Sequence, residues 1–303
     1  MSASRGHADP RVDRTTGVLV QGITGRAGRG HTRLMRAYGT NIVAGVSPKS
    51  DTAEVDGVPV FRSCTEAVAA TGATASVLFV GAYELLGAIT DAVKAGLRLI
   101  VTPAEGMPVH DALKAKRIVA EAGALWIGAS TPGMAIPGVA KLGFLPDTAL
   151  QPGPVGIMSK SGTLSYESGY RLVQRGIGQS VWVGVGGDPV KGTRFADLVP
   201  FYAQDAATQA VLIVGEIGGN EEEAFAAALT SHRFAKPVFA LVAGRTAPEG
   251  VSMGHAGAMV YGNSGSFAAK RRALEAAGVA VFGSLDEMVE GVAARLGVAA
   301  GPA

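Results

Sequence analysis

A regular alternation of short apolar strands and helical stretches, with glycine turns where strands end, most constrains the fold of this chain. The first unit is an apolar strand over residues 17–22, which enters a glycine turn before a helix over 28–38. Further strands are predicted at 41–46, 76–80, 97–102 and 124–127, with helices over 65–70, 83–95 and 112–122. Such alternation predicts a parallel sheet with helices on both faces.

The same pattern restarts after a proline- and glycine-rich passage over residues 131–154. Strands are predicted there at 155–159, 180–185, 210–215, 237–242 and 279–282, and helices at 163–175, 196–204, 220–230, 266–277 and 285–296. The chain has 303 residues, whereas one domain usually has about 100 to 200. We therefore predict two consecutive α/β domains, with their boundary in this passage.

Composition excludes several classes of protein. The net charge is +2 and no basic tract follows the tail between Arg5 and Arg14, so charge gives no reason to invoke nucleic acid or a membrane surface. The lone Cys64 excludes an intramolecular disulfide and a cysteine-built zinc site, and no metal site is predicted in the chain.

Residues 1–16 are polar and aperiodic, which predicts a disordered leader. The absence of a long apolar run or a signal peptide predicts a soluble cytoplasmic protein.

The turn from Gly22 to Gly30 lies at the end of the first strand and opens the first helix, where backbone N–H groups and the helix dipole favour a phosphate. Alternatively, its glycines only permit close helix packing. The second strand ends at Val46-Ser47-Pro48-Lys49, without the acid that binds ribose hydroxyls in nicotinamide-binding folds, which disfavours an NAD(P)-dependent dehydrogenase. Lys49 suits a ribose phosphate, such as the 3′-phosphate of coenzyme A, or is a solvated loop charge.

His255 lies in the segment Met253-Gly254-His255-Ala256-Gly257-Ala258, and a glycine- and serine-rich stretch follows at 262–266. Glycine on both sides lets another backbone or an anion approach the imidazole. The segment therefore predicts a histidine presented for chemistry, or else an ordinary histidine beside a flexible loop tip.

Two further turns carry polar groups at strand ends. Residues 159–164, Ser-Lys-Ser-Gly-Thr-Leu, follow a strand and open a helix, which predicts an anion site or an ordinary N-cap. Glu216 lies on the turn at 215–220, where an acid can orient an imidazole; alternatively it is a helix-start acid like its neighbours at 221–223. The histidine, the acid and the helix start together suggest a phosphohistidine intermediate.

Six ordered motifs between residues 17 and 296 resemble the α subunit of succinyl-CoA synthetase. They are Gln21-Gly22-Ile23-Thr24-Gly25, Ala37-Tyr38-Gly39-Thr40, Ser161-Gly162-Thr163-Leu164, Gly186-Gly187-Asp188-Pro189, Gly215-Glu216-Ile217-Gly218-Gly219 and the segment 253–258. The resemblance implies a Rossmann-like CoA-binding domain over 17–147, followed by a flavodoxin-like doubly wound parallel-sheet domain over 148–303 that carries the phosphohistidine.

The resemblance also implies roles for individual residues. His255 is the residue phosphorylated, Glu216 hydrogen-bonds it, the helix start at Ser161, Gly162 and Thr163 holds the phosphate, and Tyr166 contacts the substrate. The implied coenzyme A contacts are Gly22, Thr24, Gly25, Arg26, Ala27, Lys49, Pro103, Ala104 and Glu105.

The implied reaction makes acyl-CoA from a carboxylic acid, coenzyme A and ATP or GTP. The chain contains no P-loop sequence, and the family places the nucleotide and Mg²⁺ on an ATP-grasp β subunit, in an αβ or α₂β₂ assembly.

The chain departs from the family on the coenzyme A side. Residues 26–28 are Arg-Ala-Gly where Ser-Gln-Gly is usual, Lys49 is shifted by one place, and residues 103–105 are Pro-Ala-Glu in place of Ile-Thr-Glu. Residues 81–83 and 130–133 also differ from the usual pattern. We hypothesise a relative that acts on another carboxylate, such as malate, citrate or an uncharacterised acid. A non-catalytic CoA-binding protein is the alternative, against which His255 and Glu216 argue.

Overall fold

The computed structural model describes residues 9–248, 250, 254–255, 258–260 and 265–298. Much of the predicted loop around His255, namely residues 251–253, 256–257 and 261–264, therefore lies outside the described residues, as do residues 1–8. The described part forms two seven-stranded sheets with alternating helices. The predicted α/β fold class is confirmed.

The first sheet has the strand order of a dinucleotide-binding fold. Its elements are β1 (Val18–Gln21), α1 (Arg26–Tyr38), β2 (Ile42–Val46), β3 (Glu54–Val55), β4 (Val58–Phe61), α2 (Cys64–Thr71), β5 (Ala75–Leu78), α3 (Leu85–Lys94), β6 (Leu99–Thr102), α4 (Val109–Glu121) and β7 (Leu125–Gly128). The order is β3-β4-β2-β1-β5-β6-β7, and only β3 pairs antiparallel. The six parallel strands thus follow the 3-2-1-4-5-6 Rossmann order.

The second sheet contains a flavodoxin-like core. Its elements are β8 (Gly133–Ile136), β9 (Ala140–Gly143), β10 (Pro152–Ser159), α5 (Gly162–Gln174), β11 (Gln179–Gly184), α6 (Phe195–Gln204), β12 (Ala210–Glu216), α7 (Glu221–Ser231), β13 (Val238–Ala243), α8 (Phe267–Ala276), β14 (Ala280–Phe282) and α9 (Leu285–Leu296). The order is β14-β13-β12-β10-β11-β8-β9. The parallel strands β10 to β14 therefore follow the 2-1-3-4-5 order, whose switch point lies between β10 and β12.

The sheets divide the chain earlier than the sequence indicates. Strand β8 pairs antiparallel with β11, with Ala135 opposite Trp182, and β9 pairs with β8. Residues 133–143 therefore belong to the second sheet, although the sequence interpretation assigns the chain up to residue 147 to the first domain. Pro137 and Gly138 lie between these four-residue strands, and Gly133 and Gly143 lie at their ends. The sequence pattern of the passage is therefore typical of a loop. We propose a domain boundary at residues 129–132.

Residues 9–16 also differ from their prediction as part of a disordered leader. Val12 is buried within the core, and the Arg14 guanidinium donates a hydrogen bond of 2.6 Å to the carbonyl of Gly138. The Asp13 carboxylate accepts the N–H groups of Thr15 and Thr16 in a local turn. These contacts tie residues 9–16 to the folded chain.

The core consists of strands buried on both faces. Every residue of β1 and of β12 is buried, which fits continuous apolar runs in parallel sheets. One apolar cluster joins the two sheets, since it contains Val20 and Val101 from the first and Val183 and Ile213 from the second. None of the described helices is long and apolar enough to cross a membrane.

Candidate active site

The carboxyl ends of β10, β11 and β12 place three turns side by side, because these strands are neighbours in the sheet. Strand β10 leads through Lys160 to Ser161 at the start of α5, β11 leads to Gly186 and Gly187, and β12 ends at Glu216. Open α/β sheets bind ligands at this edge, next to the point where strand order reverses. The edge is therefore the first place to look for chemistry.

His255 and Glu216 form a hydrogen-bonded pair at this edge. The imidazole Nδ1 and the carboxylate Oε2 are 2.7 Å apart, and their side chains are 24% and 8% exposed respectively. A carboxylate that accepts the Nδ1 proton selects the tautomer in which Nε2 carries the lone pair. The predicted pairing of these residues has this geometry in the structure.

Burial and the hydrogen bond between His255 and Glu216 shift the pKa of each residue in opposite directions. Burial raises the pKa of Glu216, but the hydrogen bond from His255 and the charge of Lys160 outweigh it, so this pKa lies below its usual value. The hydrogen bond to Glu216 raises the pKa of His255 against desolvation, and the charge of Glu105 adds to the rise. Glu216 is therefore an anion near neutral pH, and the imidazole holds its proton more tightly than a free histidine.

The imidazole ring lies against the backbone of Gly187. A Cβ atom built on Gly187 would be 2.7 Å from Cγ of His255, and one on Gly186, whose φ is +98°, would be 2.1 Å from the carbonyl oxygen of Ala129. Both glycines are therefore needed for close approach. The loop also reaches the first sheet, since the Asp188 carboxylate accepts the N–H of Met107 at 3.2 Å.

A methyl group on Gly187 is expected to displace the imidazole. Because misplacement of a reacting group by about 1 Å costs roughly a hundredfold in rate, we expect Gly187→Ala to lower the rate of a reaction at His255 by about that factor. Steady-state kinetics check this. The control is Gly87→Ala in α3, where a Cβ meets no atom within 4 Å and activity should be unchanged. Wild-type kcat in Gly187→Ala would contradict the placement of the ring.

The start of α5 brings together the predicted phosphate and substrate residues. Ser161 is the N-cap, and its Oγ accepts the N–H of Leu164 at 3.3 Å, so the N-cap alternative is correct for this side chain. The dipole of the 13-residue helix points its positive end towards the turn of Gly162 and Thr163. A Cβ on Gly162 would be 3.5 Å from the hydroxyl of Tyr166, which places that hydroxyl at the same helix start.

Tyr166 remains a neutral phenol. Burial raises the pKa of its hydroxyl to about 12, so near neutral pH it can both donate and accept a hydrogen bond. The helix start thus offers a hydroxyl donor beside backbone N–H groups, an arrangement that suits a carboxylate or phosphate oxygen.

The geometry of the turn at the end of β1 bears on both interpretations given to its glycines. A Cβ on Gly22 would be 2.4 Å from the carbonyl oxygen of Phe79, and one on Gly28 would be 2.2 Å from that of Gly22, so close packing requires both glycines. Helix α1 nevertheless begins at Arg26 with Gly25 as an N-cap that provides no side-chain hydrogen bond, and its first turn holds no acid. The exposed residues Gly25, Arg26 and Ala27 leave this helix start open to an anion.

The other predicted coenzyme A contacts lie along the same sheet edge. Thr24 Oγ1 is 3.0 Å from the Ser47 hydroxyl, because β1 and β2 are neighbours, and Lys49 is exposed in the turn after β2. The other group, residues 103–105, follows β6 on the far side of β5. Pro103 is buried, whereas Glu105 is exposed and close enough to raise the pKa of His255. The two candidate sites therefore meet near Glu105.

Lys160 and Gly187 are functional candidates to which the sequence analysis assigned no role. Lys160 belongs to the motif at 159–164, but burial of its side chain, which is 6% exposed, is visible only in the fold. Gly187 belongs to a quoted motif, and its contact with His255 crosses a long stretch of sequence. A local sequence pattern indicates neither the burial of Lys160 nor the contact between Gly187 and His255.

Comparison with known proteins defines the class of molecule. The family described as CoA binding domain matches residues 13–106, and the family described as CoA-ligase matches residues 158–280. Fold, site and family together define a CoA ligase subunit, an acid–thiol ligase that uses coenzyme A.

Relatives identify the family more closely. Over 282 residues the chain is 49% identical to the succinate–CoA ligase [ADP-forming] subunit alpha 2 of Archaeoglobus fulgidus, a match that covers 93% of this chain and 98% of that protein. It is 42% identical over 291 residues to the malate–CoA ligase subunit alpha of Methylorubrum extorquens, covering 94% and 98% respectively. The chain belongs to the succinate–CoA ligase α-subunit family.

A solved structure shares the overall fold. The structure of ATP citrate lyase from Methanothrix soehngenii in complex with citrate and coenzyme A superposes with a TM-score of 0.83 at 23% identity. The match covers 96% of this chain and 52% of that chain. Both sheets therefore occur together in one known architecture.

Proposed function

We propose that this chain is the α subunit of an NDP-forming acyl-CoA synthetase that carries a phosphoryl group on Nε2 of His255. The observation that supports this most strongly is the 2.7 Å hydrogen bond between Nδ1 and the buried Glu216, because it leaves Nε2 as the nucleophilic nitrogen. The helix start at Ser161, Gly162 and Thr163 follows the neighbouring strand, where it suits the incoming phosphate.

The proposed chemistry passes one phosphoryl group through the histidine. Nε2 attacks the γ-phosphorus of the nucleotide, a P–N bond forms, and the P–O bond to the diphosphate breaks. A carboxylate oxygen then takes the phosphoryl group to give an acyl phosphate and regenerate the imidazole. The thiolate of coenzyme A attacks the acyl carbon and expels inorganic phosphate. Glu216 keeps the Nδ1 proton in place through both transfers, and the dipole of α5 stabilises the phosphoryl charge.

Coenzyme A fits the glycine turn of the first sheet. We propose that its phosphates meet the open start of α1 at Gly22, Thr24, Gly25, Arg26 and Ala27, because close backbone approach, a cationic side chain and the absence of an acid favour an anion there. Residues 103–105 lie further along the edge, towards His255, which suits the thiol end of the molecule.

Lys49 is proposed to bind the 3′-phosphate of coenzyme A. Because one charged hydrogen bond to a phosphate contributes about 1.5 to 3 kcal/mol, we expect Lys49→Ala to weaken coenzyme A binding about tenfold or more. Binding of dephospho-CoA, which lacks this phosphate, should not change. Titration calorimetry with both ligands checks this, with Lys94→Ala on the exposed end of α3 as the control. An equal loss of affinity for coenzyme A and dephospho-CoA would mean that Lys49 contacts a part of the molecule other than the 3′-phosphate.

The partner is proposed to be an ATP-grasp β subunit that binds ATP or GTP with Mg²⁺. The relatives named above are themselves alpha subunits, one of an ADP-forming ligase, which supports a second subunit with the nucleotide site. We also propose a cytoplasmic location, which the free and buried thiol of Cys64 fits.

The acid is proposed to be succinate or a related di- or tricarboxylate, with a carboxylate other than succinate as the hypothesis under test. Relatives of similar identity are named for succinate and for malate, and the departures in this chain cluster at residues 26–28, 49 and 103–105. Tyr166 is the proposed contact for a substrate carboxylate.

A panel of acids tests this function. The α chain is assembled with the β subunit of its own organism, and kcat/KM is measured for succinate, malate, citrate and acetate with coenzyme A and ATP or GTP. We expect a di- or tricarboxylate to exceed acetate. The highest kcat/KM for succinate would overturn the altered-substrate idea alone, whereas no thioester with any acid would favour the non-catalytic alternative.

A further inference from the structure

A buried lysine lies beneath the His255–Glu216 pair. The ammonium Nζ of Lys160 is 3.4 Å from Oε1 of Glu216 and 3.7 Å from Oε1 of Glu222, and its side chain is only 6% exposed. Its backbone N–H donates to the carbonyl of Val214 at 3.0 Å, so β10 and β12 fix its position. Lys160 directly precedes Ser161, the N-cap of α5, so it belongs to the same turn as the proposed phosphate site.

The pair with Glu216 creates a conflict for a nucleophilic histidine. The carboxylate must be ionised to accept the Nδ1 proton and leave the lone pair on Nε2. The same charge raises the pKa of His255, which favours an imidazolium with protons on both nitrogens and no lone pair. A nucleophile that works near neutral pH therefore needs a group that opposes this effect.

Lys160 is placed to oppose it. Oε1 of Glu216 is the carboxylate oxygen that the imidazole does not bond, and none of the described residues donates a hydrogen bond to it. The Lys160 ammonium forms an ion pair with this oxygen at 3.4 Å. The cation pairs with Oε1, whereas the imidazole bonds Oε2. It therefore offsets the negative charge without competing for the Nδ1 hydrogen bond.

The other charged groups around the pair differ from Lys160 in their partners, although the charge of Lys191 also lowers the pKa of Glu216. The Lys191 ammonium donates to the carbonyl of Gly186 at 2.6 Å and lies 3.7 Å from Glu221. Glu222 accepts a hydrogen bond from the fully buried Lys270, so part of its charge is balanced from the other side. Glu105 acts on the imidazole in the same direction as Glu216.

We propose that Lys160 is a positioning residue that offsets the charge of Glu216, so that the imidazolium of His255 loses its Nε2 proton near neutral pH, keeps its Nδ1 hydrogen bond and can accept a phosphoryl group on Nε2. The proposal rests on the phosphohistidine function proposed above. The pair has no net charge when both imidazole nitrogens are protonated and one negative charge when Nε2 has lost its proton, and a nearby cation stabilises the second state. The released Nε2 proton passes to solvent.

The test is the pH dependence of phosphohistidine formation. The wild-type chain and Lys160→Met are each assembled with the β subunit, mixed with γ-labelled ATP and quenched rapidly. Because loss of an opposite charge at this distance shifts a pKa by about one unit or more, we expect the acid limb of the rate profile to move upward by about one pH unit in Lys160→Met. The rate should fall about tenfold on that limb and recover at alkaline pH. Lys160→Arg keeps the charge and should restore the wild-type limb.

A matched control separates this effect from the mere loss of a buried lysine. The side chain of Lys191 is also 6% exposed and borders the same site, but its ammonium is held by the Gly186 carbonyl. We expect Lys191→Met to shift the acid limb less than Lys160→Met does. If Lys160→Met fails to fold, as judged by circular dichroism, Lys160→Gln replaces it.

A second readout does not depend on turnover. In the full chain with ¹³C-labelled histidine, NMR titration should give His255 a higher pKa in Lys160→Met than in the wild type, with the signal assigned by its loss in His255→Asn. Identical His255 titrations and identical acid limbs in folded wild type and variant would overturn the proposal. Absence of label on His255 in the wild-type complex would instead overturn the phosphohistidine function. The NMR titration of the free chain does not depend on phosphorylation, so it still tests the role of Lys160 in that case.

Discussion

Replacement of His255 by Asn is expected to abolish acyl-CoA formation. Asparagine can still hydrogen-bond Glu216 but offers no nucleophilic nitrogen, so the rate should fall by about 10⁴-fold or more, as expected when a covalent nucleophile is removed. Coenzyme A binding should persist, because the glycine turn at Gly22 belongs to the other sheet. Steady-state kinetics of the assembled enzyme and calorimetry with coenzyme A measure the two effects separately.

The control for this variant is His232→Asn. His232 is exposed at the end of α7, where its Nδ1 lies 3.0 Å from the carbonyl oxygen of Ala228, and the change should leave turnover as it is. If His255→Asn kept a tenth of the wild-type rate, the phosphoryl group would have to pass directly between substrates or through another residue.

Replacement of Glu216 by Gln is expected to change both the rate and its pH dependence. The amide keeps the size of the side chain but removes the charge that fixes the tautomer of His255, and changes of this kind typically cost about 10- to 100-fold. Because the hydrogen bond to Glu216 and its charge raise the pKa of His255, that pKa should fall in the variant. The acid limb of kcat/KM should therefore move to lower pH while the plateau drops.

This pH shift distinguishes orientation from general damage. Glu223→Gln is the matched control, since Glu223 lies in the first turn of α7 and bonds Lys270 rather than the imidazole. It should keep both the plateau and the acid limb. An unchanged acid limb in Glu216→Gln would mean that the carboxylate does not control the protonation of His255 in the working enzyme.

The regular part of the fold was accessible from sequence because its strands are apolar runs ended by glycine turns. Strand β12 was predicted at 210–215 and spans Ala210–Glu216, and helix α9 was predicted at 285–296 and spans Leu285–Leu296. Strands β3, β4, β8 and β9 were missed, because they have only two to four residues and lie among turn-forming residues. Their pairing depends on partners elsewhere in the chain, such as β11 for β8.

The candidate site was accessible to the extent that its chemistry lies in local motifs. A histidine between glycines and an acid on a strand-end turn suggested a pair, and the 2.7 Å contact between His255 and Glu216 has the corresponding geometry. The approach of Glu105 and Lys160 to this pair joins four separate segments of the chain. No local pattern encodes such contacts, because burial and distance arise only when both sheets are assembled.

The most direct test of the account is to locate the phosphoryl group. The chain is assembled with its β subunit, incubated with γ-labelled ATP and Mg²⁺, and digested for mass spectrometry under alkaline conditions that preserve phosphohistidine. The account predicts an acid-labile, base-stable label on His255 that is discharged when carboxylate and coenzyme A are added together. A catalytically active complex whose label is absent, or lies on another residue, would contradict it.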